Sequence, residues 1–462
     1  MAVLPADAAF EVTVPVVIVG AGACGLTAAL AAHEQGAGVL VLERDAVPRG
    51  STAMSSGMIP AAGTRFQVEN GVDDSAELFA RDIMAKNHDA ADPAVVAAVT
   101  AASGATVEWL ADRWRVPLSL VTGFLYPGHS VMRMHAPPGR TGGELIGALA
   151  RAAGDAGIDL VTEARVTDLF ADPDGRIAGV AYRRPDGSVE RVGCDSLVLA
   201  CNGYGGDPEM LRRFIPEMAD ARYHGHAGNV GDAVTWGEAL GAQLADMGAY
   251  QGHGSLADPH AILITWALMM EGGIQVNAEG RRFSNEHLGY SEQAAAVIAQ
   301  PGAVAWNLYD ARLHALGREF EDYREAEAAG ATRSGATVEE LAAATGLPSL
   351  ALAETLEQAA RCAAGASDPF GRDFTTRPTL VPPYHAVKVT GAMFHTQGGL
   401  AVDPDGRVLR ADGSRMPNLY AGGGAARGLS GSAGFGYLSG NGLLSAAVLG
   451  RICGTAAADA VV

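Results

Sequence analysis

The stretch VPVVIVGAGACGLTAALAAHEQGAGVLVLERD, residues 14–45, decides the fold class. It opens on β-branched residues that favour a strand. Gly20-x-Gly22-x-x-Gly25 follows, then an alanine-rich segment predicted to be a helix, then a second apolar strand ending at Glu43, with Ala23 and Arg44 also expected beside a cofactor. Gly20 permits a tight turn, Gly22 lets backbone approach a pyrophosphate, and Gly25 lets helix and strand pack closely. The helix start offers N–H groups and a positive dipole end to phosphates. Glu43, about twenty residues on, suits ribose hydroxyls. A glycine turn alone is weak evidence. Strand, glycines, helix, strand and acid in register predict dinucleotide binding, and the acid disfavours a 2′-phosphate, which leaves FAD and NAD.

The chain of 462 residues exceeds the size at which one core stops growing, so two domains are expected. Its formal net charge of −19 repels nucleic acid and anionic membrane surfaces, and both are discounted as partners. The five cysteines are scattered and lack CxxC spacing, which argues against structural zinc and a disulfide framework. The chain opens without a signal-peptide pattern, and AILITWALMM (261–270) is too short to span a bilayer. A cytoplasmic protein with no integral membrane segment and no metal site is the expectation.

The segment RGSTAMSSGMIPAAGT (49–64) chooses between the cofactors: it is small and hydroxyl-rich where an NAD dehydrogenase would continue to another helix. It resembles the flavoprotein family of fumarate reductase and succinate dehydrogenase flavoprotein subunits and 3-ketosteroid dehydrogenases. There the matching stretch lies along the flavin's phosphate and ribityl chain. The resemblance implies cofactor contacts from Ser51, Thr52, Ser56 and Gly57; Arg49 departs from the family's glycine. ARVTDLFADPDGRIAGVAYRRPDGSVERVGCDSLVLACNGYGGD (164–207) reads as strands with DG turns and ends like the family's "ATGG". Ala200 and Gly203 fit that ending, Cys201 and Asn202 do not, and Val166 is expected beside the cofactor. Asp232 in GHAGNVGDAVTWGEALGA (225–242) is predicted to cap a helix. In the carboxy-terminal segments, the resemblance implies flavin contacts from His395, Gly423, Gly424, Asn441, Gly442 and Leu443. Many relatives carry Glu at Gly424, so one hydrogen bond is missing here. The family's covalent link uses a histidine soon after the fingerprint; none lies between His33 and His88, so non-covalent FAD is expected.

The implied fold is α/β: a Rossmann-like FAD-binding domain (1–248 and 387–462) with an inserted α+β capping domain (249–386). ATVEELAAATGLPSLALAETLEQAARCAA (336–364) resembles that domain's helical pair. In EGRRFSNEHLGYSEQ (279–293), Tyr290 stands where fumarate reductases carry their proton-donating arginine. In GFGYLSGNGLL (434–444), Tyr437 stands where they carry the arginine that grips a carboxylate. This double exchange resembles ketosteroid dehydrogenases, and Tyr437-x-Ser439 most resembles the 3-ketosteroid Δ4-(5α)-dehydrogenase branch. The implied reaction is α,β-desaturation of a cyclic ketone, a 3-ketosteroid or a smaller cyclohexanone-type ring, some bearing a carboxylate. Tyr437, with a backbone N–H near Asn441, would hold the enolate oxygen, and Tyr290 would take the α proton. The reverse assignment, with Ser439 relaying the proton, stays open, as does a packing or turn-lining role for each. Tyr126 is a third candidate or a surface-loop residue. Arg133, His135, His224 and His226 read as loop or helix-end residues, or as contacts to a substrate carboxylate. Trp266, Met269 and Met270 read as core, or as an apolar pocket wall. The other functional readings are an ene-reductase of an enone or unsaturated acid, and a non-catalytic flavin-binding protein. A small-molecule substrate and an unidentified electron acceptor are the expected partners.

Overall fold

Residues 1–6 and 10–461 are described by a computed structural model. The chain forms two compact units: Met1–Pro216 with Gly225–Tyr250 and His395–Val462, and Glu217–His224 with Gln251–Phe394. The sequence reading divides the chain after 248 and 386. The second of these cuts falls inside the strand Tyr384–Thr396, whose ladder belongs to the second unit, so the division moves to 394/395. Glu217–His224 also joins that unit, through Arg222–Tyr223 pairing in parallel with Ala392–Met393.

The first unit is built on a nine-stranded sheet. Thr13–Val19 lies between Val39–Leu42 and Val189–Leu199, all parallel, and Asp159–Val161 continues the sheet beyond Val39–Leu42. Val189–Leu199 pairs at its far end with Arg415–Ala421, also in parallel. Ile177–Arg183 and Arg165–Ala171 add an antiparallel hairpin. Thr13–Val19 and Val39–Leu42, in the middle of the sheet, are almost continuously apolar, as buried parallel strands are. The helix Ala23–Glu34 is buried from Ala23 to Ala32 and packs against the last helix, Asn441–Asp459. Glycine permits that contact: a Cβ at Gly454 would fall 2.1 Å from the Ala28 carbonyl oxygen.

The helix Pro93–Asp112 is longer than the run 261–270, and by length and composition alone it is long and apolar enough to cross a membrane. Half of it is buried inside the protein. Val95, Val96 and Val99 pack with Leu444, Val448 and Leu449, which is how a core helix behaves.

The second unit centres on Tyr384–Thr396, antiparallel to Val304–Asp310 and to Thr332–Gly335, with Ile274–Val276 beyond Val304–Asp310. The helices Val338–Thr345 and Ser349–Ala363 occupy the stretch read as a helical pair, separated at Gly346 and Pro348. This unit has its own core, including Ile264, Tyr309, Leu352 and Val387.

Candidate active site

In the first unit three parallel strands end side by side and hand over to loops of small residues. Gly20 N–H donates to Leu42 O at 2.8 Å, Ala200 N–H to Val19 O at 2.9 Å, and Gly422 N–H to Leu199 O at 3.1 Å. Gly20 has φ 104°, and a Cβ there would lie 2.6 Å from Ala200 O, so only glycine fits. Gly22 precedes the first helix, which has no acid in its first turn. Gly25 lies inside that helix, 3.4 Å from the Ala200 methyl as measured from an added Cβ. Glu43 is buried and accepts from the N–H groups of Ala21 (2.7 Å) and Asp45 (2.9 Å), one per carboxylate oxygen. Each oxygen keeps a second lone pair, enough for ribose hydroxyls.

Thr52 Oγ1 accepts from Ala23 N–H at 3.0 Å, tying the hydroxyl-rich stretch to the helix start. Ser51 Oγ accepts from the side-chain amides of Asn202 (3.0 Å) and Asn229 (2.8 Å). Ser56 is exposed, and the local bonds come instead from Ser55, whose Oγ accepts from Gly57 N–H at 3.1 Å. Arg44 donates to Gly228 O at 2.7 Å, so it pins the 225–231 loop. Val166 is buried at the edge of the same strand ends, where Ala164 N–H donates to Glu43 O. Gly203 backs onto Thr396, whose Oγ1 accepts from Tyr204 N–H at 3.2 Å. Gly423 lies over Cys24 and Ala446, and Leu443 packs partly buried on the core beneath.

Asp232 is not a cap. It is the first residue of the helix Asp232–Leu240, and Gly231, in the left-handed region, precedes it. Burial raises the Asp232 carboxyl pKa, and its Oδ1 has no partner. Asn441 Oδ1 is likewise buried and partnerless, at the start of the last helix. A wholly buried polar atom without a partner is costly. Two such atoms around a glycine-lined cradle fit a large polar cofactor, and FAD suits the glycines, Glu43 and Ser51–Thr52 together.

The second donor expected near Asn441 is already engaged. Asn441 N–H bonds Leu438 O at 3.0 Å, and Gly442 N–H approaches the Tyr437 hydroxyl at 3.5 Å. Tyr437 is buried, which pushes its pKa well above the usual phenol value, so it is a neutral hydroxyl. Its ring meets His395 edge-on, with centroids 5.6 Å apart. His395 Nδ1 faces the Gln397 amide at 2.9 Å, and burial lowers its pKa to about 4. A Cβ at Gly442 would lie 2.6 Å from the His395 ring, so glycine there lets the imidazole approach.

Ser439 is buried, and its carbonyl accepts from His129 Nε2 at 2.9 Å. Burial lowers the His129 pKa to about 4, so the ring is neutral and the proton sits on Nε2, because a carbonyl only accepts. Arg133 lies in the loop before the strand Met134–Ala136, away from the surface. It is fully buried, paired with Asp74 (2.7 Å) and with Asp82, and lies over the Phe79 ring. His135 is also buried, 2.8 Å from Thr64 Oγ1. His226 bonds Asp45 at 2.8 Å. Tyr126 is half-buried and donates to Met58 Sδ at 3.0 Å; burial raises its pKa to about 12.

In the second unit Tyr290 begins the helix Tyr290–Ile298, after Gly289 at φ 141°. Its ring stacks on His253 with centroids 4.8 Å apart. The sequence reading overlooked His253, which no motif marks. It is buried, its Nδ1 accepts from Ser255 N–H at 3.2 Å, and burial lowers its pKa to about 3. Trp266 meets the same imidazole edge-on and donates to Glu286 O at 3.2 Å. His224 tilts against Phe394. The R-F-x-N-E segment supplies the framework: buried Glu286 pairs with Arg282 (2.8 Å) and Arg372 (3.0 Å) and accepts from Gln275 N–H (3.0 Å). Arg282 also pairs with Asp368 at 2.6 Å. These ion pairs hold the Glu286 carboxyl below its usual range even though burial opposes it.

Residues 15–443 match the FAD binding domain family. Over 449 residues the chain is 31% identical to a probable fumarate reductase of Shewanella frigidimarina, covering 96% of this chain and 75% of that one. It is 28% identical to a urocanate reductase of Eggerthella lenta, covering 96% and 74%. The open conformation of a flavocytochrome c3 fumarate reductase superposes with a TM-score of 0.82 at 31% identity, covering 98% and 79%. A 3-ketosteroid Δ4-(5α)-dehydrogenase from Rhodococcus jostii shares the fold, with a TM-score of 0.78 at 24% identity and coverage of 99% and 100%. With the cradle and the family model in agreement, the chain belongs to the FAD-dependent oxidoreductases of the fumarate reductase and succinate dehydrogenase flavoprotein type.

Proposed function

We propose that the protein is a dehydrogenase that introduces a C=C bond next to the carbonyl of a cyclic ketone. The observation that carries this reading is the neutral, buried phenol of Tyr437, beside a neutral His395, where a carboxylate substrate would call for a cation. A phenol donates one hydrogen bond to a ketone oxygen and strengthens it as enolate charge develops; an arginine fork suits two carboxylate oxygens. Its raised pKa favours Tyr437 as donor over Tyr437 as base, which leaves the α proton to Tyr290. Bound FAD would supply the redox chemistry by accepting the β hydrogen as hydride. An electron acceptor of unidentified kind would then reoxidise the protein.

The second reading, an ene-reductase of an enone or unsaturated acid, is favoured by the relatives, among them the probable fumarate reductase at 31% identity. An anaerobic titration separates the two. Bleaching of the flavin absorbance by 3-ketosteroids or simple cyclohexanones supports the desaturase. Rapid reoxidation of pre-reduced protein by fumarate, with no bleaching by any ketone, refutes it.

A further inference from the structure

We propose that Asn202 and Asn229 act together to make Ser51 an obligate hydrogen-bond donor to the bound FAD. A serine hydroxyl has one hydrogen and two lone pairs. Both side-chain amides donate to Ser51 Oγ, Asn202 at 3.0 Å and Asn229 at 2.8 Å. With both lone pairs occupied, the hydroxyl hydrogen is directed to a third group. Ser51 is half-buried and precedes Thr52, which binds the start of the phosphate-facing helix. An acceptor oxygen of the cofactor is the group that this orientation serves.

The two amides are themselves held in place. Asn202 Oδ1 accepts from Gly203 N–H at 2.8 Å, so its NH2 must face Ser51. Asn202 has φ 67°, a left-handed conformation that asparagine tolerates better than most residues. A Cβ at Gly424 would lie 2.1 Å from Asn202 Oδ1, so the Asn202 side chain fills the space that any side chain at 424 would need. Asn229 is buried; its N–H bonds His226 O at 3.0 Å, its carbonyl accepts from Gly206 N–H at 2.8 Å, and Arg44 clamps the adjacent Gly228.

The test is a double-mutant cycle on FAD release from the holoprotein, read as the rise of free-flavin fluorescence on dilution, with ADP as a competing probe. Ser51→Ala is expected to weaken FAD binding roughly three- to a hundredfold, the upper part of that range for a charged pyrophosphate oxygen and the lower for a neutral one. Asn202→Gly keeps the left-handed backbone and is expected to weaken FAD binding about three- to tenfold, in line with a neutral hydrogen bond. In the Ser51→Ala background Asn202→Gly should add almost nothing, because its effect passes through the serine hydrogen. If Ser51→Ala weakens ADP competition as well, the acceptor is on the pyrophosphate; if only FAD suffers, it is on the ribityl–flavin half. The proposal fails if Ser51→Ala holds FAD as tightly as the parent, or if Asn202→Gly costs the same in both backgrounds. Unchanged melting temperatures of the FAD-free variants exclude a general loss of structure.

Discussion

Tyr437 and Tyr290 carry the same phenol, and their surroundings make them different reagents. Tyr437 sits in a glycine-rich turn of the first unit, buried, with Gly442 N–H at its oxygen and the edge of His395 against its ring. Burial keeps its proton on. Tyr290 opens a helix in the second unit, stacked on the neutral imidazole of His253, behind a loop braced by Glu286, Arg282 and Arg372. One tyrosine is placed by close-packed backbone, the other by a buried ion-pair framework. The first phenol is held among close-packed glycine backbone, and the second opens a helix four residues after the buried, ion-paired Glu286.

The largest expected effect tests the Tyr290 half of this contrast. Tyr290→Phe keeps the ring on His253 and should slow ketone-dependent flavin bleaching by about 10²–10⁴-fold, the usual contribution of a proton-transfer group. A parental rate would reduce Tyr290 to packing.

Next comes the framework. Arg282→Met leaves Glu286 and Asp368 with an uncompensated buried charge and should cost about 3–5 kcal/mol in denaturant unfolding. A loss below about 1 kcal/mol would mean that Arg372 alone balances the cluster.

Tyr437→Phe should lower the bleaching rate about 10²–10³-fold, as for one oxyanion donor, and weaken ketone binding. Because the Tyr437 pKa is raised, this donor should stay protonated across the working range, and the rate should show no basic-limb loss traceable to it below pH 10. A basic limb below pH 10 that disappears in the Tyr437→Phe protein would show that burial does not hold this proton, and an acid limb that disappears with it would make Tyr437 a base and overturn the donor role.

Acid stability comes next per group. His129, His135 and His395 are held near pKa 4 by burial, and His253 near 3. Between those values and about 6.5 the unfolded chain binds protons that the folded one does not. Stability is therefore fully present above pH 6.5 and falls as pH drops, by up to about 1.4 kcal/mol per pH unit for each histidine. Melting temperatures recorded from pH 7 to pH 4.5 should fall steeply, and a flat profile would show that these imidazoles reach solvent.

The smallest effect is expected at Ser439. Its carbonyl, not its hydroxyl, meets His129, so Ser439→Ala should change the rate by less than about tenfold, within the worth of one neutral hydrogen bond. A loss matching either tyrosine would instead make the hydroxyl a proton relay.

The cradle was the legible part of the molecule because its determinants are local. Gly20, Gly22, Gly25 and Glu43 lie within one strand–helix–strand unit, where spacing along the chain is spacing in space. The hydroxyl-rich stretch likewise bonds the first helix through Thr52, a near neighbour in the fold. Misreadings arose where distant segments meet. Arg133 looks like a loop cation until Asp74 and Asp82 close around it. Asp232 differs for a local reason: Gly231, in the left-handed region, takes the position before the helix that Asp232 starts. Neither His253 nor Asn229 carries any spacing signal.

By itself, the sequence determined that a dinucleotide cradle forms, that its middle is an insertion, and that two tyrosines stand where the resemblance has arginines. Those conclusions follow from backbone requirements and residue identity, both written in the chain. Only the tertiary structure decided which proton each group keeps. The burial that holds Tyr437 protonated and His395 neutral comes from side chains packed around them, and the pairing that turns Ser51 into a donor joins positions 51, 202 and 229. Protonation and hydrogen-bond direction depend on the solvent and partners a group has lost or gained, and long-range packing sets those.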